Sequence, residues 1–311
     1  MNDAAAGFFT AYDTVLRERW PADLRSVDVH SAYGTTRVHV CGPEDAPPLV
    51  LLPGGGTTAA SWFANVEELA RAHRVYAVDL MGDIGRSVHD GAPLRGVGDL
   101  MAWLDEVFAA SELGLAPEPG PGPELGPGPE LGPGPELGPG PRDGVRLCGH
   151  SYGAWIALNY ALHAPQRVSG LALLDPTNCF GGMSPRYLLH AVPLLLRPTA
   201  QRQRAFLRWE TGRAPADPVW QAFLDSAATA ERSKVVAMRR PKEESLGALR
   251  DIPTLVLLAG HSRVHDVRRV ADSARRLLPH ATVATLPDAS HHSIPTERPA
   301  ELNRLLTKFL S

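Results

Sequence analysis

Gly149-His150-Ser151-Tyr152-Gly153 reads G-x-S-x-G. It follows the short apolar run Val145-Arg146-Leu147-Cys148 and opens the alanine-rich stretch Ala154-Trp155-Ile156-Ala157-Leu158. The local pattern is therefore strand, tight turn, helix. A turn this tight needs neighbours without a Cβ on both sides, which glycine supplies. A serine at its apex sits in a strained backbone that lifts the hydroxyl above the sheet edge. The next backbone N–H, that of Tyr152, then points to where a developing oxyanion could be bound. The bland alternative is a Gly/Ser turn in some other α/β protein. The strand before and the helix after identify a nucleophile elbow with Ser151 at its tip.

Working outward, further apolar runs bounded by glycine or proline fit strands buried on both faces: Leu49-Val50-Leu51-Leu52, Val75 to Leu80, Val168 to Leu174, Thr254 to Leu258 and Thr282 to Leu286. Residues 28–40 alternate polar and apolar around Tyr33-Gly34-Thr35 and read as a β-hairpin. Helical spacing predicts an N-terminal helix over 7–20 lying on the main domain. It also predicts a helix around Trp62, Asn65 and Leu69, one capped by Asp99, one over Val267 to Leu278, and a terminal helix opened by Pro299. Alternating buried strands and helices give a doubly wound, mostly parallel sheet with helices on both faces.

Two stretches interrupt that alternation. Residues 116–141 carry the unit Gly-Pro-Gly-Pro-Glu-Leu, starting at Gly120, Gly126 and Gly132. Proline removes donors and glycine resists ordering, so this insertion is expected to be disordered. It falls between a helix and the strand entering the elbow, so it is not a domain linker. Residues 176–248 lack strand patterning and suggest helices at Tyr187 to Leu196, Ala200 to Trp209, Val219 to Ala230 and Ser233 to Met238. The expected division is a core of 1–175 and 249–311 with an inserted helical lid of 176–248. Tyr187, Leu188, Leu195, Phe206, Trp209, Trp220 and Phe223 would form the lid's own core.

Composition sets outer bounds. The chain has 311 residues, 44% of them hydrophobic, and a net charge of −3. That is enough apolar material for a sizeable core, and the absence of a basic bias argues against nucleic acid or an anionic membrane as partner. Cys41, Cys148 and Cys179 are odd in number and far apart, which points to a reducing compartment rather than a disulfide framework. Met1 to Thr10 shows no signal-peptide pattern, and no apolar run is long enough to span a bilayer. The expectation is a cytoplasmic protein.

These features together resemble the α/β-hydrolase fold superfamily, in its lidded, esterase-like form. The carriers are Leu51 to Gly56 as an oxyanion loop and Asp79 to Ser87, which is similar to D-x-x-G-x-G-x-S. They also include the elbow itself and His292 to Pro299, which matches a terminal H-x(4)-E-x-P. The resemblance implies an eight-stranded-type sheet and a Ser-His-Asp triad, with no metal and no cofactor. A serine hydroxyl needs a base within hydrogen-bond reach, and histidine suits because it titrates near neutrality. The base is expected in the loop after the last strand, where His291 and His292 are adjacent. Spacing to Glu297 selects His292 and leaves His291 as a loop residue beside the base. His150, next to the nucleophile, should be a packed neighbour.

The acid departs from the family pattern. It usually follows the strand at 255–258 as G-x-x-D, but here Ser262 or Arg263 falls at that position. Asp175 ends the preceding strand on the correct side and is the chosen acid. Asp266 is the alternative, against a competing role as a helix cap. Oxyanion donors would be the N–H groups of Tyr152 and of Gly54 or Gly55. The implied activity is hydrolysis of a small-molecule ester through an acyl-enzyme. A thioesterase, lactonase or acyltransferase on the same triad is the alternative, and a non-enzymatic ligand-binding member the remote one.

Overall fold

Strands that are apolar on both faces must be covered on both faces. In the computed structural model, which describes residues 3–115, 144–213, 215, 217–233, 235–297 and 299–311, they form the centre of one eight-stranded sheet. Helix α1 (Asp3–Arg19) precedes the hairpin of β1 (Arg25–Ser31) and β2 (Gly34–Cys41). Then come β3 (Pro48–Leu52), the single-turn helix α2 (Val66–Leu69), β4 (Arg74–Val78) and α3 (Val97–Ala109). The elbow lies between β5 (Val145–His150) and α4 (Tyr152–His163), followed by β6 (Val168–Leu174). Helices α5 (Pro185–Leu196), α6 (Ala200–Thr211) and α7 (Pro218–Ala227) form an insert before β7 (Thr254–Ala259). Helix α8 (Val267–Leu277), β8 (Thr282–Leu286) and α9 (Pro299–Leu310) complete the chain.

The strand order is β1-β2-β4-β3-β5-β6-β7-β8. Only the β1/β2 and β2/β4 pairs are antiparallel, and the remaining pairs are parallel. This is the expected α/β fold. Trp103, Leu104 and Phe108 of α3, Trp155 of α4 and Val270 of α8 belong to the core on one face of the sheet. Leu69 of α2 and Leu302 and Leu306 of α9 belong to the core on the other. The loops after β5, β6, β7 and β8 therefore emerge side by side at the carboxyl edge, where ligands bind in open α/β sheets.

Four local expectations are revised. Residues 233–238 form no helix among those described, and Trp155 Nε1–H and Tyr152 O–H instead donate to the carbonyls of Arg239 and Val236 in an irregular segment. Asp99 is not the cap of α3 but its third residue, accepting from the N–H groups of Gly96 (3.0 Å) and Arg95 (2.6 Å). In α5, Leu188 and Leu195 are exposed rather than packed, because no residue of this helix is buried. Helix α1 does not lie on the sheet domain alone: Phe8 packs on Phe223 of α7 at 5.7 Å, and Arg19 Nε–H donates to Asp217 at 2.9 Å.

From the same helix, Tyr12 O–H donates to the buried carboxylate of Asp79 at 2.9 Å. That carboxylate also accepts the N–H groups of Ala59 and Arg86, so it ties α1 to the two loops beside the site. The Gly/Pro-rich segment, expected to be disordered over 116–141, lies outside the described residues. The three cysteines are free and buried. No helix among the described residues is long and apolar enough to cross a membrane.

Candidate active site

The elbow is built from contact, not from loop flexibility. A Cβ on Gly149 would lie 2.3 Å from the carbonyl oxygen of Gly153, and one on Gly153 would lie 2.3 Å from that of Leu52. Only glycine lets the chain fold back this closely. Ser151 at the apex has φ 53° and ψ −112°, a region a non-glycine residue occupies only when its surroundings hold it there. Its N–H donates to the carbonyl of Leu174 at 3.0 Å, fixing the apex to the end of β6.

Three side chains from three strand ends converge there. His291 Nδ1 lies 2.6 Å from Asp175 Oδ2, and its Nε2 lies 2.8 Å from Ser151 Oγ. An ionised carboxylate can only accept, so Nδ1 carries the proton and Nε2 is left to accept from the serine. The Thr177 hydroxyl is 3.0 Å from Ser151 Oγ and, with the serine donating to His291, is the donor of that pair.

The expected pairing of His292 with Ser151 does not hold. His292 Nδ1 donates instead to Glu210 Oε2 of α6 at 3.1 Å. Adjacent residues in a turn project to different sides, and here it is His291 that faces the serine. Glu297, whose spacing selected His292, is engaged elsewhere: it accepts Arg213 Nε–H at 2.9 Å.

Asp175 receives four donors: the Ala259 N–H (3.0 Å), the Ser262 hydroxyl (2.7 Å), His265 Nε2–H (3.1 Å) and His291 Nδ1–H (2.6 Å). Burial opposes its ionisation. The hydrogen bonds from His265 and His291 outweigh that and hold the carboxyl well below its usual range. Ser262 occupies a position where the family pattern has its acid, and it donates to the carboxylate that sits one strand away. Asp266 is no part of the cluster. It caps α8 by accepting the Arg269 N–H at 3.1 Å, and its side chain is 56% exposed. Sequence reading did not identify Thr177, His265 or Glu210. Thr177 follows the chosen aspartate by two residues, but no motif marks the other two.

Burial pushes His291 below its ordinary value of 6.5 against the opposing influence of Asp175. Burial likewise depresses His150 to about 3, so that ring is neutral. His150 is the packed neighbour expected: its Nε2–H donates to the His291 carbonyl at 2.8 Å. The glycine loop passes over the elbow. A Cβ on Gly54 would lie 2.8 Å from His150 Nδ1, and one on Gly55 would lie 3.4 Å from Tyr152 Cβ. The N–H of Gly56 is held by Asp83 at 2.8 Å.

Ser151 and His291 open into a cavity of 310 Å³. Its far wall is apolar and comes from the insert, through Leu194, Phe206, Leu207, Trp220 and Leu224. Such a chamber admits a small to medium apolar group next to a hydrogen-bonded serine, imidazole and carboxylate.

The Alpha/beta hydrolase family model matches residues 49–305. The chain is similar to carboxylesterase YbfK of Bacillus subtilis, at 24% identity over 97% of this chain and 93% of that protein. It is also 24% identical to the uncharacterized carboxylesterase nap of the same organism, over 100% of this chain and 94% of the other. Among solved structures it resembles naproxen esterase (carboxylesterase NP) from Bacillus subtilis, with a TM-score of 0.83 at 24% identity, covering 100% of this chain and 99% of that one.

Proposed function

Because the chain belongs to the alpha/beta hydrolase family, we propose that it is a serine hydrolase cleaving carboxylic esters through an acyl-enzyme, with Ser151 as nucleophile, His291 as base and Asp175 as acid. The observation that carries this reading is the imidazole of His291, hydrogen-bonded at 2.8 Å to a strained serine and at 2.6 Å to a buried aspartate. The names of the two Bacillus subtilis relatives support the ester class. The apolar wall of the cavity supports small to medium apolar groups.

The cycle follows from the donors and acceptors. His291 Nε2 takes the Ser151 proton as Oγ attacks the ester carbonyl. The oxyanion is held by the Tyr152 N–H and one N–H of Gly54 or Gly55, groups whose value lies in being fixed before charge develops. The imidazolium, stabilised by Asp175, then protonates the departing alcohol. The same nitrogen activates water against the acyl-enzyme. In this reading residues 176–248 are a lid over the core of 1–175 and 249–311. The free cysteines support a cytoplasmic setting.

A fluorophosphonate probe tests the class. Wild type is expected to label covalently and Ser151→Ala to remain unlabelled. Equal labelling of both, or of neither, would refute the assignment. A pH profile tests the base. Only neutral His291 can accept the proton, and its pKa is lowered, so protonation sets in below the ordinary 6.5. The acid limb of kcat/KM is therefore expected to have its midpoint below pH 6.5 and to fall about tenfold per unit beneath it. A midpoint at or above that value would contradict the buried, neutral imidazole.

A further inference from the structure

We infer that Glu210, carried by the lid helix α6, is a positioning residue that fixes the backbone of the base and makes its alignment depend on the seating of the lid. The inference rests on the hydrolase reading above. Glu210 is 1% exposed, and the hydrogen bonds of its carboxylate leave the lid. Oε1 accepts the His291 N–H at 3.0 Å. Oε2 accepts the His292 N–H and His292 Nδ1–H, both at 3.1 Å. Burying a carboxylate is costly unless every lone pair is used, and nothing in the packing of α6 itself uses these.

The other side of the same residue is held too, because His150 donates to the His291 carbonyl. The base is thus gripped on its N–H by the lid and on its C=O by the residue before the nucleophile. The backbone that carries the ring is therefore fixed on both sides, while Asp175 sets the ring's own orientation. Phe206 and Leu207 line the cavity, and Glu210 lies four and three residues further along α6, on the same helical face. One face of one helix therefore touches the substrate chamber and holds the base. Lifting α6 would open the chamber and loosen the base together.

The experiment compares Glu210→Ala, Glu210→Gln, His292→Ala and Phe206→Ala with wild type on p-nitrophenyl acetate and p-nitrophenyl butyrate. A displacement of about 1 Å at a reacting group costs about a hundredfold in rate. Glu210→Ala is accordingly expected to lower kcat about a hundredfold on the acetate as well as the butyrate, with KM within about threefold of wild type. His292→Ala keeps both backbone N–H bonds and should lose no more than about tenfold, the scale of one hydrogen bond. Glu210→Gln, which keeps the shape and one acceptor, should fall between them. It carries the test if Glu210→Ala shows no cooperative unfolding transition.

Phe206→Ala should act mainly on the butyrate and through KM. The inference is overturned if kcat of the Glu210 variant on the acetate stays within about twofold of wild type. It is equally overturned if Phe206→Ala reproduces the Glu210→Ala loss, which would make the effect general loosening. A wild type that neither labels nor turns over these esters removes the hydrolase reading and this inference with it. An active wild type with an equally active Glu210 variant removes the inference alone.

Discussion

Replacing His291 by alanine is expected to lower kcat on a p-nitrophenyl ester by about a millionfold, the scale seen when a triad histidine is removed. The same change at His292 should cost no more than about tenfold. The contrast is large because only one ring touches Ser151. His291 Nε2 is 2.8 Å from Oγ, whereas His292 Nδ1 is committed to Glu210. Steady-state kcat on purified single variants decides the matter. If His292→Ala is the dead enzyme and His291→Ala retains more than about a tenth of wild-type activity, the base is misassigned. Fluorophosphonate labelling should follow kcat, since phosphonylation of Ser151 needs the same proton removed.

Asp175→Asn is expected to lower kcat about ten-thousandfold. An asparagine amide of similar shape can present its N–H₂ to His291 Nδ1. That stabilises the tautomer with the proton on Nε2, which cannot accept from serine. It also leaves the imidazolium without its counter-charge. Asp266→Asn is the matched comparison, and kcat within about twofold of wild type is expected, because asparagine caps a helix as well as aspartate does. Loss confined to Asp266→Asn would overturn the assignment. The four donors around Asp175 allow a second measurement. His265→Phe removes one of them without touching the base, so its kcat should fall less than that of Asp175→Asn.

The parts of the site that could be read from sequence are those fixed by local geometry. Gly149 and Gly153 announce the turn because a Cβ at either would strike backbone. Asp175 could be singled out because it ends a recognisable strand beside the elbow strand. The choice between two adjacent histidines could not be read in the same way. An irregular turn has no period, and the acceptor that orients His292 is 82 residues away on another element. Spacing to Glu297 does not single out the histidine facing Ser151, because Glu297 pairs with Arg213 of the insert. The sheet was legible from its apolar runs, and its order agrees with the α/β expectation. The helix expected at 233–238 failed for a different reason. The backbone carbonyls of Val236 and of Arg239 just beyond it are taken by the side chains of Tyr152 and Trp155 rather than by helical N–H groups.

The contact of α1 with α7 gives the chamber wall a support from outside the insert. The groups proposed to react and every strand of the sheet lie after residue 24, and a truncation beginning at β1 would keep them all. It would also strip Phe8 from Phe223 and Arg19 from Asp217, taking the buttress from behind the helix whose Trp220 and Leu224 wall the chamber. Helix α1 is a brace behind the chamber wall. Removing it is expected to change how a molecule fits the chamber while Ser151, His291 and Asp175 keep their own hydrogen bonds.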